Sequence, residues 1–282
     1  MTKVTRLNSV EEFLDATLDL RSADPFRTNL VGSVATSILE GHRTYDDYFW
    51  WIVTGDHDEV VGFMMRTPPH GLVLSPMPQD AIPDCVEAIL EADPDLPGVN
   101  GPKALVLAFV SIYQSKLSTP REISIERGEL LYALSALSLP TVSGYLRPAR
   151  ESDTDLMLHW YRAFGNEVGL PMHSLEQSVY SGIARQGIHM WIDDDQPVSI
   201  AGFATPVVSP AGTVARIGPV YTPPEFRSNG YASAATAALS QLLLNLPGQV
   251  MLFTDAANPT SNGIYIKLGY ELLDENLEVE FR

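Results

Sequence analysis

The chain has 282 residues, of which 45% are hydrophobic and 19% charged, so its length suggests two domains and its composition allows a buried core in each. Its 35 acidic residues outnumber 18 basic ones, and a formal charge of −17 disfavours binding to nucleic acid or to anionic membranes. A single cysteine excludes a disulfide framework and a cysteine-based zinc cluster. The sequence has no apolar segment near its start and no apolar run long enough to cross a membrane, so we expect a cytoplasmic protein.

The first half of the chain is predicted to begin with a short strand and a helix. Arg6 and Leu7 are extended in this interpretation, and Ser9 precedes two glutamates as an N-cap residue would. A hairpin follows, with a polar turn at residues 55–58. The hairpin strands and the later strands and helices are predicted at residues 48–53, 60–64, 72–75, 82–90, 96–99, 102–116, 122–126 and 129–137.

The second half repeats this plan, which indicates two domains of one type. Arg147 opens an extended piece, and Ser152, with Asp155 three residues later, is predicted to cap the next helix. The hairpin and the elements after it are predicted at residues 188–203, 214–222, 229–246, 250–254, 260–268 and 277–281. Turn formers are concentrated at residues 139–144, so we expect an α/β chain with domains at residues 1–140 and 145–282.

Residues 217–234 carry the most chemical information. They are predicted to form a strand that ends at two prolines, a turn, and the start of a long Ala-rich helix. This arrangement directs several backbone N–H groups toward one point. Gly230 allows close approach of the backbone and Arg227 adds a positive charge, so a pyrophosphate is the expected ligand. Pro219 removes a donor from its strand and marks an interruption in the pairing.

These residues resemble those of a known family. Residues 227–232, Arg-Ser-Asn-Gly-Tyr-Ala, fit the R/Q-x-x-G-x-G/A signature of the GNAT superfamily of acyl-CoA-dependent N-acyltransferases, and residues 220–225 are similar to the approach to that loop. The second GNAT motif is matched by Asn258, Ser261, Tyr265, Gly269 and Tyr270. Both motifs occur in the family's order, so the second half resembles a GNAT domain in its residues and the first half resembles one in its plan.

The resemblance implies two tandem domains, each a twisted mixed sheet flanked by helices, that use acetyl-CoA and no metal. It implies that the pyrophosphate lies on the amides of residues 228–233, that the pantetheine lies along residues 218–222, and that Tyr265 points at the thioester sulfur. The cofactor-binding residues that it implies are Gly218, Val220, Tyr221, Thr222, Arg227, Ser228, Asn229, Gly230, Tyr231, Ala232, Ser233, Asn258 and Tyr265. Ser228 departs from the glycine that is common there, which we expect to lower the affinity without changing the assignment.

The chemistry of acetyl transfer assigns further roles. The amine must be neutral, a backbone N–H near Val220 is expected to stabilise the oxyanion, and Tyr265 is expected to donate to the departing thiolate. Full proton transfer from an ordinary tyrosine to a thiolate is uphill by roughly 2 kcal/mol, so a strong hydrogen bond can suffice. Three candidates for the general base stay open: Glu167, expected in a loop between two helices, His189 on the hairpin strand, and a chain of water molecules.

Each of these residues also has a purely structural interpretation. Tyr265 would be a core residue, Asn258 would cap a helix, and Arg227 would be a solvated surface charge. Glu167 would be a solvated loop residue. His189, which shares its strand face with Trp191, would be a buried histidine with a hydrogen-bond partner.

The first half lacks the residues of a phosphate loop. Residues 76–83 read Pro-Met-Pro-Gln-Asp-Ala-Ile-Pro, with neither glycine nor arginine and with Asp80 where phosphates would lie. We therefore expect a degenerate half that packs against the second one and walls the acceptor site. Cys85 falls on the apolar face of its helix and is expected to be buried and unreactive.

Together these features predict an N-acetyltransferase that moves an acetyl group from acetyl-CoA to a primary amine of a small molecule or peptide by direct attack. The alternative is a catalytically idle CoA-binding or interaction protein. The acidic surface favours cationic acceptors slightly through electrostatic steering. The identity of the acceptor, the acyl chain length and the oligomeric state, with a homodimer as one option, are left open.

Overall fold

The computed structural model describes residues 2–169, 175–245 and 248–282. Strands of the first half are β1 Lys3–Leu7, β2 Phe49–Thr54, β3 Val60–Arg66, β4 Leu72–Leu74, β5 Gly98–Pro102 and β6 Ile123–Leu134. Its helices are α1 Val10–Ala16, α2 Leu18–Ala23, α3 Asn29–Leu39, α4 Ile82–Ala92 and α5 Lys103–Lys116.

The second half follows with a similar order of elements. Its strands are β7 Tyr145–Pro148, β8 Ile188–Asp193, β9 Gln196–Phe203, β10 Val207–Ser209, β11 Gly212–Tyr221, β12 Gly248–Asp255 and β13 Tyr270–Phe281. Its helices are α6 Thr154–Val168, α7 Leu175–Ala184, α8 Tyr231–Leu244 and α9 Pro259–Lys267. None of the helices within the described residues is long and apolar enough to cross a membrane.

The two halves exchange their last long strands. The strand order is β1-β2-β3-β4-β5-β13-β6-β12-β11-β9-β8-β7, with β10 paired to β11. Strand β13 lies between β5 and β6 of the first half, and β6 lies between β12 and β13 of the second. They pair antiparallel from Tyr270 opposite Leu134 to Phe281 opposite Ile123. The sheet therefore crosses the expected boundary at residues 140–145, and each half contains a strand that completes the other.

The two faces of the second half carry different helices. Ile188, Met190 and Ile200 pack in a core with α6 and α7. On the opposite face Ala215 and Ile217 of β11 pack with α8 and α9. Because side chains alternate along a strand, the residues between them face the other way, where Val214 packs near Phe26 of the first half.

Most elements agree with the sequence prediction, and Ser9 caps α1 by accepting from the Glu12 backbone N–H at 3.2 Å. The strands predicted at residues 122–126 and 129–137 are one strand, β6, because Arg127 and Gly128 stay paired to β13. The last strand starts at Tyr270 rather than at residue 277, since β6 offers it a partner over its whole length.

The N-terminus of α6 also differs from the prediction. Ser152 lies inside a short 3-10 turn, Glu151–Asp153, and α6 starts at Thr154. Asp153 organises this corner instead: its carboxylate accepts from the Arg150 backbone N–H at 2.7 Å and from the Arg147 guanidinium at 2.7 and 3.0 Å.

Candidate functional site

Strands β11 and β12 separate at Gly218. Their parallel pairing runs from Thr213 opposite Gly248 to Ile217 opposite Leu252, although β11 continues to Tyr221 and β12 to Asp255. On its other side β11 has a bulge between Ile217 and Val220 in its pairing with β9. The structure therefore contains a wedge-shaped gap with residues 218–221 on one wall and residues 253–255 on the other.

The backbone at Gly218 is shaped for this gap. Gly218 has φ +154° and is followed by a cis bond to Pro219, which has no N–H to offer a neighbouring strand. A Cβ placed on Gly218 would have no atom within 4 Å, so there is open space beside this residue. Strand carbonyls and amides that lack a ladder partner can bind an extended ligand.

The loop after β11 leads to the N-terminus of α8. Ser228 and Gly230 have φ values of +67° and +81°, and Gly230 is the N-cap residue, with no side-chain cap. A Cβ on Gly230 would lie 3.1 Å from Cγ2 of Val142, so the fold itself favours glycine there. The Asn229 amide nitrogen donates to the carbonyls of Phe226 at 3.1 Å and Arg227 at 3.2 Å, which fixes the loop.

The first helical amides are free for a ligand. The first backbone bond into α8 runs from Ala234 to the Gly230 carbonyl, which leaves the N–H groups of Tyr231, Ala232 and Ser233 without helical partners. The Tyr231 hydroxyl donates to Asp193 at 2.5 Å and ties this helix end to the β8–β9 turn. Backbone donors and the helix dipole make this end suited to a phosphate.

Arg227 is paired with Glu167. Its Nη2 donates to both carboxylate oxygens of Glu167 at 2.8 and 2.6 Å, and its Nε donates to the Thr222 carbonyl at 3.0 Å. The Tyr221 hydroxyl donates to the same carboxylate at 3.2 Å. Both charged side chains are close to half exposed. Glu167 lies in the last turn of α6 rather than in a loop, so the expected position was wrong.

Ser199 of the neighbouring strand β9 fixes the end of β11, at Tyr221 and Thr222. Ser199 of β9 is fully buried, and its hydroxyl donates to the Tyr221 carbonyl at 3.0 Å and lies 2.8 Å from the Thr222 hydroxyl. Ser199 is not among the predicted site residues, although a lone serine between Val198 and Ile200 of a buried strand is a sequence signal for such a role.

Asn258 and Tyr265 belong to α9. Asn258 caps the helix, accepting from the Ser261 backbone N–H at 3.0 Å. Tyr265 is buried, with its ring 6.0 Å from that of Tyr270 in an edge-on contact. Its hydroxyl has no hydrogen-bond partner within the described residues, and burial raises its pKa to about 12.

His189 is apart from these residues. It is 5% exposed, and its ring lies 6.2 Å from that of Phe203, on the face of β8 that Trp191 shares with the α8 core. Nδ1 is buried with no partner, so the partner expected of a structural histidine is missing at this nitrogen, and burial lowers the pKa of the imidazole. Glu167, by contrast, contacts Tyr221, which packs in the separate core formed with α6 and α7.

Among residues 2–144, which the structure describes, no comparable gap is open between β4 and β5. Gly101 of β5 approaches β4 so closely that a Cβ on it would lie 2.7 Å from the Leu74 carbonyl oxygen. Met77 fills the space after β4, since a Cβ on Gly62 would lie 2.5 Å from the Met77 Cβ. Cys85, beside Met77, is buried and its pKa is raised to about 12, first by burial and then by Asp84. Within the described residues no group of three or more His, Cys, Asp or Glu side chains could hold a metal ion.

Comparison with known proteins agrees with this geometry. Residues 204–279, which run from just before β10 into β13, match the FR47-like protein family. No curated protein matches the chain.

Three solved structures illustrate the likeness in fold. A GNAT-family acetyltransferase from Colwellia psychrerythraea is 11% identical with a TM-score of 0.60, over 99% of this chain and 100% of the other. A GCN5-related N-acetyltransferase from Sphaerobacter thermophilus is 13% identical with a TM-score of 0.62, over 99% and 94%. A tandem GNAT protein from the clavulanic acid pathway is 12% identical with a TM-score of 0.56, over 99% and 98%. Residues 204–279 thus match the FR47-like family, and the whole chain has the fold of tandem GNAT proteins, with both halves in one mixed sheet.

Proposed function

We propose that the second half of this chain transfers an acetyl group from acetyl-CoA to a primary amine. The observation that carries the proposal is the gap beside Gly218, which opens where β11 and β12 part and leads to the free amides of α8. These residues fit the donor: the open space suits an extended arm, and the helix end suits a pyrophosphate. When bound, acetyl-CoA supplies the activated acetyl group.

In this proposal the cofactor-binding residues are those of the gap and the loop. Residues 218–222 bind the pantetheine through strand amides and carbonyls, and the amides of residues 228–233 bind the pyrophosphate. Asn258 contacts the cofactor arm from α9. Arg227 adds a positive charge to the loop, and it must leave Glu167 to reach a phosphate.

Tyr265 serves as the hydrogen-bond donor to the departing sulfur. With a pKa of about 12 its hydroxyl is neutral at pH 7, so it is present as a donor. Transfer of its proton to a thiolate of pKa about 8.5 is uphill by about 5 kcal/mol, which favours donation without full transfer. The backbone N–H near Val220 stabilises the oxyanion.

For the base we favour Glu167 over His189. Glu167 lies beside Tyr221 at the end of the gap strand, and a move of Arg227 toward a phosphate leaves its carboxylate free to accept a proton. His189 lies in the α8 core. The alternative base is a chain of water molecules. If water is the base, a variant that lacks the Glu167 carboxylate should keep its kcat.

The test is a screen of amines with acetyl-CoA, with release of free CoA as the readout and calorimetry of acetyl-CoA in parallel. We expect one binding site per chain and turnover with at least one amine. Binding without CoA release across the panel would favour an idle CoA-binding protein, and the absence of binding would reject the proposed site.

A further inference from the structure

Three arginines lie together where the first half meets the second. Arg216 belongs to β11, Arg43 follows α3, and Arg185 follows α7. Their contacts bring them to one region: Arg43 donates to Ser178 of α7, Arg185 donates to the carbonyl of Phe203, which pairs with Ile217, and the Ala204 N–H donates to the Arg216 carbonyl at 2.9 Å. The pKa of Arg216 is lowered to about 10, mainly by burial and then by Arg43 and Arg185, against an opposing effect of Glu129. The pKa of Arg185 is also lowered, by burial first and in part by Arg43, against opposing effects of Tyr161 and Glu40.

None of the three is in an ion pair within the described residues. Arg216 donates to Asn29 Oδ1 at 3.3 Å and to Ser33 Oγ at 3.1 Å, both neutral groups of α3. Arg43 donates to the hydroxyls of Tyr45 and Ser178, and Arg185 donates to the Phe203 carbonyl. Each guanidinium has five N–H donors, so most of these donors have no acceptor among the described residues.

This arrangement is unexpected in a chain with a formal charge of −17. Buried charges are normally paired, because an unpaired one loses its hydration without compensation. Each of the three side chains nevertheless keeps part of its surface exposed, as a group at the wall of a cleft does. A groove of about 690 Å³ lies between α7 and the residues after α3, with Arg185 as the member of the three in its lining and with Glu176 opposite in charge to it.

Arg216 is also next to the proposed site of reaction. It lies two residues before Gly218, so about 7 Å of strand separates it from the start of the gap. It points away from α8, since Ala215 and Ile217 on either side of it pack with that helix. A molecule that enters between the halves on this side would meet the arginines and the gap together.

We propose that the acceptor amine also carries a carboxylate, as an amino acid or a peptide end does, and that Arg216, with Arg185 and Arg43, binds it. This inference rests on the proposed function, of which it specifies the substrate class. A planar guanidinium with free N–H groups matches a carboxylate in shape and charge. The positive cluster opposes the bias toward cationic acceptors that the overall charge suggests, because the field inside a cleft is set by its own walls.

The test uses matched acceptors on the full chain: amino acids, the corresponding amides, and the amines that lack the carboxyl group. We expect kcat/KM to favour a carboxylate over its amide by about 10- to 100-fold. In Arg216→Gln this preference should disappear, while kcat/KM for the amide changes little. Such coupling between one side chain and one substrate group would not arise if Arg216 served only to hold α3 on the sheet.

Arg27→Gln is the matched control. Arg27 also lies at the junction of the halves, but its charge is balanced by Asp24 at 3.2 Å and Asp274 at 2.5 Å, so the preference should survive. If Arg216→Gln does not fold, Arg216→Lys and Arg185→Gln replace it, and both should reduce the preference. A preference that is absent in the parent chain, or unchanged in these variants, overturns the inference.

A second measurement separates this inference from the proposed function. Thermal stabilisation of the chain by the same amino acids and amides, without acetyl-CoA, reports carboxylate binding directly. If acetyl-CoA neither binds nor turns over but amino acids still stabilise the parent and not Arg216→Gln, the proposed function fails and the carboxylate site stands. If amines are acetylated yet no carboxylate of the panel binds or is preferred, the carboxylate site fails alone.

Discussion

Within the described residues the Tyr265 hydroxyl has no partner, whereas the hydroxyl of its neighbour Tyr270 lies 2.7 Å from that of Ser240. Both rings are buried in the same core. The Tyr265 oxygen is not among the fully buried side-chain atoms that lack a partner, so it reaches the surface of this core. A ligand that lies against this oxygen can accept its hydrogen bond.

This contrast gives a paired prediction. Tyr265→Phe keeps the ring and should lower kcat by about 10²-fold with little change in acetyl-CoA affinity, because the donor acts on the departing sulfur. Tyr270→Phe should leave kcat unchanged and lower the free energy of unfolding by about 1 kcal/mol, because it breaks a buried hydrogen bond. Steady-state kinetics, calorimetry and denaturation measure the three quantities.

Turnover by Tyr265→Phe within threefold of the parent, with chemistry shown to be rate-limiting, would assign the donor role to water.

His189 leads to a prediction about pH. Burial lowers its pKa below the ordinary value of about 6.5, so the unfolded chain binds its proton at a higher pH than the folded chain. As the pH falls below about 6.5 its protonation therefore favours unfolding, with a contribution of at most about 1.4 kcal/mol per pH unit until the folded chain is protonated too. Urea denaturation at several pH values between 5 and 7 gives the free energy of unfolding as a function of pH. This free energy should fall less steeply with decreasing pH in His189→Gln than in the parent, and an equal fall in both would contradict this account.

At the scale of elements, strand β11, its loop and helix α8 form one unit for binding. The strand leaves its partner at Gly218, the loop reverses direction through Ser228 and Gly230, and the helix presents its amides. The Arg227–Glu167 pair connects this unit to α6. Because that pair uses the charge that we assign to the pyrophosphate, the proposed function requires that cofactor binding and α6 be coupled.

This coupling predicts that substitutions of Glu167 and of Arg227 change the affinity for acetyl-CoA in opposite directions. Glu167→Gln releases Arg227 and should tighten acetyl-CoA binding up to about fivefold, the value of an exposed ion pair, whereas Arg227→Gln should weaken it. If Glu167 is also the base, kcat in Glu167→Gln falls although binding improves. Calorimetry at low and high salt checks the binding, and kinetics at saturating acetyl-CoA checks kcat. Weaker binding in Glu167→Gln would show that Arg227 stays with α6.

Local sequence signals predict the elements well, and contacts between distant residues mark where prediction stops. Ser9, Gly230 and the apolar periods of the helices act within a few residues, so the sequence is sufficient for them. The pairing of Glu167 with Arg227 spans 60 residues and depends on the packing of α6. Arg216 carries a local signal, a charge between Ala215 and Ile217 in a buried strand, but its neighbours Arg43 and Arg185 come from other elements.

At the scale of the whole molecule, the exchanged strands make the halves depend on each other. The fragment 1–140 lacks β12 and β13 and so exposes one edge of β5 and both edges of β6, and the fragment 145–282 lacks β5 and β6 and so exposes one edge of β12 and both edges of β13. Open edges and an incomplete core favour aggregation. We expect neither fragment to fold alone, and co-expression of both to restore the sheet and acetyl-CoA binding.

Near-ultraviolet circular dichroism and the cooperativity of thermal unfolding measure this dependence. The intact chain should unfold in one transition. A cooperative transition and bound acetyl-CoA in the isolated fragment 145–282 would show that β6 is dispensable.

The position of β13 also bears on synthesis of the chain. Leu277, Val279 and Phe281, near its very end, belong to the apolar core of the first half, packed with Val106 and Phe109 of α5. At about 5–20 residues per second, roughly 10–40 s pass between the translation of α5 and that of these residues. Throughout that interval the core of the first half is open, and both β5 and β6 present unpaired edges. A chain cut before Leu277 therefore leaves the first half without its closing strand, so residues made more than 150 positions after α5 decide whether the first half folds.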